Sequence, residues 1–206
     1  MTTPSRLIVG ISGASGVIFG VRLLELLRPL PVETHLVMTK TEDLTLAYET
    51  DLEPADVRAL ADVSHSVGNL GAAPASGSFK ALGMVIAPCS IRSMSEIATG
   101  VTTSLLTRAA DVTLKERRRL VLLVRETPLH AGHLRNLTAL AELGAIIAPP
   151  VPAFYPLPTS VADIVDHTAG RVLDLFDFDA GVVKRWDGTA PTRDLSGAAV
   201  SSRRKA

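Results

Sequence analysis

Short apolar runs, each followed by a stretch of helical periodicity, recur along this chain and limit what it can fold into. Leu7–Ile11, Thr34–Met38, Met84–Ala87, Leu120–Val124 and Ala145–Ala148 are rich in aliphatic side chains. A wholly apolar run such as Leu120–Val124 offers no face to water, so it reads as a parallel strand covered on both sides. Between the runs, Val17, Val21, Leu24 and Leu27 fall at helical spacing until Pro29. Further helical patterns cover Lys40–Glu49, Pro54–Ala61, Ser93–Thr99, Thr103–Glu116 and His130–Leu143, the last stopped by Gly144. Ser64–Val67 reads as one more short strand. Ser160, with Asp163 three residues on, opens a late helix through a capping box. Such alternation predicts a three-layer α/β/α sandwich, Rossmann-like and doubly wound on a mainly parallel sheet.

The bulk properties narrow the classes. A chain of 206 residues fits a single domain, expected over residues 1–187. Residues 188–206 turn small and polar, end in Ser-Ser-Arg-Arg-Lys-Ala, and read as a disordered tail. Basic and acidic side chains balance at 21 each, so no net field favours nucleic acid or an anionic membrane. The lone cysteine, Cys89, precludes a disulfide framework within the chain and fits a reducing cytoplasm. The N-terminal sequence lacks a signal-peptide core, and no apolar run approaches the roughly 20 residues of a membrane span. A cytoplasmic location is expected. The histidines and the cysteine form no zinc-binding spacing.

Candidate chemistry lies where strands end. Gly10-Ile-Ser-Gly13-Ala-Ser-Gly16 joins a strand to a helix, a context in which free N–H groups attract phosphate, with Ser12 and Ser15 as added donors. It is not the G-x-G-x-x-G dinucleotide fingerprint, and Met38-Thr39-Lys40 lacks the acidic residue that holds an NAD ribose. A flavin mononucleotide remains compatible. The small-residue loop Ala73–Phe79 suits an anion nest. Cys89 reads as a buried, inert thiol, whereas Ser90 sits where a hydroxyl meets a ligand. Arg125 and Glu126 emerge at the carboxyl end of a strand, the binding edge of open α/β sheets; a casual ion pair in a solvated turn is the competing reading. Arg108 and Lys115 share a helix face, while Tyr155 in its proline-rich loop and Arg171 in the late helix are individually ordinary.

Together, GISGASG, YETD, PASGSF, PCS, TRAADVTLKERR, VRETPLH, PAFYPLP and RW resemble the UbiX/Pad1 family of flavin prenyltransferases, from about Leu7 to Trp186. The order PASGS, RAADV-x-LKE, RE-x-P is highly specific. The resemblance implies a homododecameric flavoprotein that needs no metal ion. It implies transfer of a dimethylallyl group from dimethylallyl monophosphate to N5 and C6 of reduced FMN. The product, prenylated FMN, would serve a UbiD-type decarboxylase. Gly13, Ser15, Thr39, Ser90, Ser93 and Arg125 are the implied FMN contacts. Ser76, Lys115, Tyr155 and Arg171 are the implied phosphate cradle, with Arg108 from a neighbouring subunit. Glu49 and Glu126 match the acid/base carboxylates, with Lys115 and Ser76 also counted as catalytic, and Trp186 matches a late aromatic near the substrate.

These roles are chemically coherent. A leaving phosphate needs cations and hydroxyl donors, and allylic cation character favours a π-rich, dry pocket. Glu126 suits protonation of the phosphate and Glu49 proton handling at ring closure. Ser93 stands where the family often has threonine, Arg92 matches the Pad1-like branch, and Arg135 replaces a common glutamate in a region of subunit contact. Related cysteine decarboxylases carry a His after the first loop and a Pro-x-Met-Asn motif; Val17-Ile-Phe-Gly20-Val21 has no such His, and the motif is missing. A non-catalytic flavin-binding subunit of a hydroxyarylic acid decarboxylase complex is the other alternative, and it would have no need of Lys115 together with Glu49 and Glu126.

Overall fold

The structure, a computed structural model, describes residues 5–186 and 188; the remainder of the tail expected over 188–206 lies outside the described residues. Strands β1 (Ser5–Ile11), β2 (Val32–Met38), β3 (Val63–His65), β4 (Gly83–Cys89), β5 (Arg119–Val124) and β6 (Ile146–Ile147) form one six-stranded sheet. Its order is β3-β2-β1-β4-β5-β6, and every pairing is parallel, so the expected mainly parallel sheet is wholly so among the described strands. Helices α1 (Val17–Leu27), α2 (Glu42–Glu49), α3 (Pro54–Ala59), α4 (Ile91–Thr99), α5 (Leu105–Lys115), α6 (Ala131–Glu142) and α7 (Val161–Asp174) cover both faces.

The period-two alternation of the strands explains the layers. Leu7, Val9, Val85 and Leu123 point to one face, packed with α1 and α7, whereas Ile8, Met84, Ile86 and Leu122 point to the other, packed with α4, α5 and α6. Each such side chain is sealed from water, a burial worth about 1.5–3 kcal/mol. None of the described helices is long and apolar enough to cross a membrane.

Element ends shift for identifiable reasons. The strand expected over Ser64–Val67 is Val63–His65, because the Val67 carbonyl leaves the sheet to accept the Leu105 N–H (2.8 Å). Helix α4 begins at Ile91 rather than Ser93, because Ser90 caps it, its Oγ accepting from Ser93 N–H (3.2 Å). Helix α2 begins at Glu42 rather than Lys40, since Thr39 and Thr41 form the turn before it, the Glu42 N–H donating to Thr39 O (3.1 Å). Strand β4 continues past Ala87 to Cys89, and its register with β5 shifts between Ile86 and Cys89, which accommodates the missing N–H of Pro88. The capping box of Ser160 and Asp163 is present as read.

The strand order places a switch point between β1 and β4. From there the chain winds toward β3 on one side and β6 on the other. The loops after β1 and β4 diverge and leave a crevice at the carboxyl ends of the strands.

Candidate active site

Ser12 closes the floor of this crevice. Its N–H and its hydroxyl both donate to Pro88 O (3.2 and 3.0 Å), and its Oγ accepts from Ser90 N–H (2.8 Å). The hydroxyl is therefore a buried staple between β1 and β4, not the ligand donor expected from the sequence. Gly13 N–H donates to Thr39 Oγ1 (3.1 Å), and a Cβ on Gly13 would lie 2.5 Å from Thr41 Oγ1, so only glycine fits there. Ser15 is exposed at the mouth.

Gly16 adopts the left-handed conformation (φ 96°) that opens α1. Its N–H and that of Val17 donate to Glu49 Oε2 (2.7 and 3.2 Å). A carboxylate at the positive end of a helix is electrostatically favoured. The anion seat that the glycine loop suggested for phosphate is thus filled by Glu49, delivered by the last turn of α2. Glu49 is fixed in the crevice by the same contact.

Hydroxyls line the neighbouring space. Thr39, Ser90, Ser93, Thr103 and Ser104, with Arg92, surround a cavity of about 220 Å³. Ser90 Oγ donates to Ser93 Oγ (3.1 Å), and Ser93 is buried. Beyond β5, the Arg125 N–H donates to Cys89 O (3.1 Å), while its guanidinium makes no hydrogen bond or ion pair among the described residues. Glu126, also exposed, accepts only its neighbour Thr127 N–H (2.9 Å). Arg125 and Glu126 are thus not paired with each other, which removes the casual-ion-pair reading. Cys89 is fully buried, and burial pushes its thiol up to about 12, so it is inert as expected.

A larger cleft, about 690 Å³, lies between the segment after β6 and α7; Tyr155, His167, Arg171, Arg185 and Trp186 contribute to its lining. Trp186 stands edge-on to Tyr155, ring centroids 6.0 Å apart. Asp174 accepts from Arg171 (2.6 Å) and from both terminal nitrogens of Arg185 (2.9 and 3.1 Å). Arg185, then Arg171, hold the Asp174 carboxyl below the usual range. Sequence reading found Tyr155, Arg171 and Trp186 but missed His167 and Arg185. The available signals were spacing and adjacency: His167 precedes Arg171 by four residues, and Arg185 adjoins Trp186.

Ser76, Arg108 and Lys115 do not line the cleft that holds Tyr155 and Arg171. Helix α5 runs back against the strands, so Lys115, its last residue, sits beside the start of β5. Its eleven residues span about 16 Å along the strands. The loop bearing Ser76 is pinned to this far region. Arg108 Nε donates to Ala75 O (3.2 Å), and Arg118 donates to Gly77 O (2.8 Å) and Phe79 O (2.6 Å). A Cβ on Gly77 would stand 2.8 Å from Lys115 Nζ, so the loop and the lysine are in contact. Lys115 itself pairs with Glu116.

A doubly wound parallel sheet with a glycine turn and a hydroxyl-lined crevice at the switch point is the architecture of many nucleotide-binding proteins, flavoproteins among them. The Flavoprotein family model matches residues 1–177. The chain is 57% identical over 186 residues to flavin prenyltransferase UbiX of Escherichia coli strain K12, covering 89% of this chain and 98% of that protein. Among solved structures, AnUbiX (PadA1) in complex with FMN and dimethylallyl pyrophosphate is 49% identical, with a TM-score of 0.90 over 91% of this chain and all of that one (100%). A dodecameric FMN-dependent UbiX-like decarboxylase from Escherichia coli O157:H7 is 48% identical, with a TM-score of 0.87 over 89% of this chain and 100% of the other. The chain belongs to the UbiX/Pad1 family of flavin prenyltransferases.

Proposed function

We propose that this chain transfers a dimethylallyl group from dimethylallyl monophosphate to N5 and C6 of reduced FMN, giving prenylated FMN. The observation that carries the reading is the crevice itself. Glu49 is fixed at the α1 N-terminus there, and Arg125 and Glu126, which form no ion pair among the described residues, follow β5 at the same end of the sheet.

The residues present fit the flavin. Gly13 leaves room for close approach, Ser15, Thr39, Ser90 and Ser93 offer hydroxyls, and Arg125 offers a free cation to its phosphate or ring. The reduced ring supplies the nucleophilic N5 and then C6, and the prenyl donor supplies the C5 unit. Glu126 gives a proton to the departing phosphate oxygen, and Glu49 accepts the proton released as the second bond closes. Tyr155 and Arg171 hold the phosphate, and Trp186 walls the allyl group from water.

Ser76, Arg108 and Lys115 complete the cradle from a neighbouring copy, since within one chain α5 and α7 cover opposite faces of the sheet. A homododecamer would supply that copy, as in the dodecameric relative. We further propose a single domain over residues 1–187, a cytoplasmic location, and a UbiD-type decarboxylase as recipient of the product.

The decisive test is anaerobic incubation of the protein with reduced FMN and dimethylallyl monophosphate, followed by mass spectrometry of the flavin. A flavin heavier by one C5 unit is expected. A folded, FMN-loaded protein that yields none would support the flavin-carrier alternative. Lys115→Met and Glu126→Gln are expected to abolish product while FMN stays bound.

A further inference from the structure

His167 lines the 690 Å³ cleft, and its hydrogen bond to Tyr155 bears on what that phenol can offer a ligand. Its Nε2 lies 3.2 Å from Tyr155 Oη, and the rings meet edge-on with centroids 5.4 Å apart. The residue is 8% exposed, and its other nitrogen, Nδ1, is buried with no partner among the described residues. It stands one turn before Arg171 on α7, so both side chains face the same cleft.

Neutral imidazole carries its proton on one nitrogen only. A proton on Nδ1 would leave a buried donor with no acceptor, the least tolerated kind of unsatisfied group. It would also force Tyr155 to spend its single proton on His167, leaving only lone pairs to meet an anion. A proton on Nε2 is given instead to Tyr155 Oη, and the phenolic O–H is released. Burial, then the Arg171 charge, hold His167 below its ordinary pKa against the pull of Asp174, which keeps the ring neutral.

We propose that His167 is a positioning residue for the prenyl phosphate: as the Nε2–H tautomer it donates to Tyr155 Oη and turns the phenolic proton toward the phosphate. This rests on the reading of Tyr155 as a phosphate ligand. Tyr155 and Arg171 then present one neutral and one cationic donor to the same oxygens, and the His167 ring decides that Tyr155 attracts the anion and does not repel it.

The test measures binding of dimethylallyl monophosphate, and of inorganic phosphate, to the FMN-loaded oligomer by calorimetry. His167→Gln places an amide N–H near the position of Nε2, and binding within about twofold of the unsubstituted protein is expected. His167→Asn keeps the polarity but falls short of Tyr155, and binding about tenfold weaker is expected. Tyr155→Phe is expected to weaken binding by a similar factor. The His167→Asn/Tyr155→Phe double variant should be no weaker than either single one, because the coupled partner is already gone. Equal affinities for the Gln and Asn variants, or losses that multiply in the double variant to about a hundredfold, overturn the proposal. Unchanged binding in Tyr155→Phe overturns the phosphate-ligand reading itself. FMN retention in every variant shows that the fold is intact.

Discussion

Glu42 is a carboxyl placed against ordinary solvation rules. It is fully buried, and neither oxygen finds a partner among the described residues. Burial, then the charges of Glu49 and Asp43, raise it from 4.5 to about 8, so it is protonated near neutrality. Leu46 and Glu49 share its stripe on α2, which packs against α1, so ionised Glu42 would oppose the charge of Glu49. Because the folded value exceeds the unfolded one, the stabilising contribution is complete below about 4.5. It is lost as pH rises toward and through about 8, at about 1.4 kcal/mol per unit of pH while only the unfolded chain is ionised. Glu42→Gln removes that titration. Urea unfolding is expected to give similar midpoints for the two proteins at pH 5, and a higher midpoint for Glu42→Gln at pH 9. Parallel stability profiles would mean that Glu42 reaches water. Nothing in the sequence marks this residue, since an acidic side chain in the first turn of a helix is the ordinary arrangement. Its burial follows from how α2 seats on α1, and that is a tertiary fact.

At the scale of elements, the crevice depends on the joint between the ends of β1 and β4. Ser12 holds that joint through three bonds, two to Pro88 O and one from Ser90 N–H. Ser12→Ala leaves the half-buried Ser90 N–H without its acceptor and the Pro88 carbonyl without one of its donors, a loss of about 1–3 kcal/mol. The same change loosens the N-cap of α4 and the hydroxyl pocket around Ser90 and Ser93. Weaker FMN binding, followed by flavin fluorescence, should accompany the lower unfolding free energy. Stability within about 0.5 kcal/mol of the parent would show the staple to be dispensable. The apolar periods of the elements were legible in sequence, as was the capping box at Ser160. Their ends were less so, because Ser90 serves as the cap of α4, and Val67 gives its carbonyl to α5. Ser12 looked like a phosphate donor for the same reason. A hydroxyl in a glycine turn has several backbone partners within reach, and only the neighbouring strand selects among them.

At the scale of the molecule, the fold was legible because both faces of one parallel sheet must be covered, which forces the alternation. The site was only half legible. Residues that follow the strands gather at one end of a parallel sheet, so Thr39, Ser90, Arg125 and Glu126 could be nominated from the strand pattern alone. Lys115 lies on the return leg of a crossover, and the proposed contact with a neighbouring copy leaves no signal in the spacing along one chain. Apolar surface borders the site residues: Tyr48, beside Glu49, is 88% exposed, and Val151 and Phe154, near Tyr155, are 73% and 70% exposed. Association would cover such surface. A site drawn from two copies makes a sharp prediction about mixed assemblies. Lys115→Met and Arg171→Met should each be inactive as uniform oligomers. In an equal, randomly mixed oligomer, half the sites keep Arg171 from their own copy, and half of those meet an intact Lys115 from the neighbour. Recovery of about a quarter of the parental rate is therefore expected, from two proteins that are each inactive alone. If Lys115 and Arg171 instead serve the phosphate within one chain, every site in the mixture carries a defect and no activity returns.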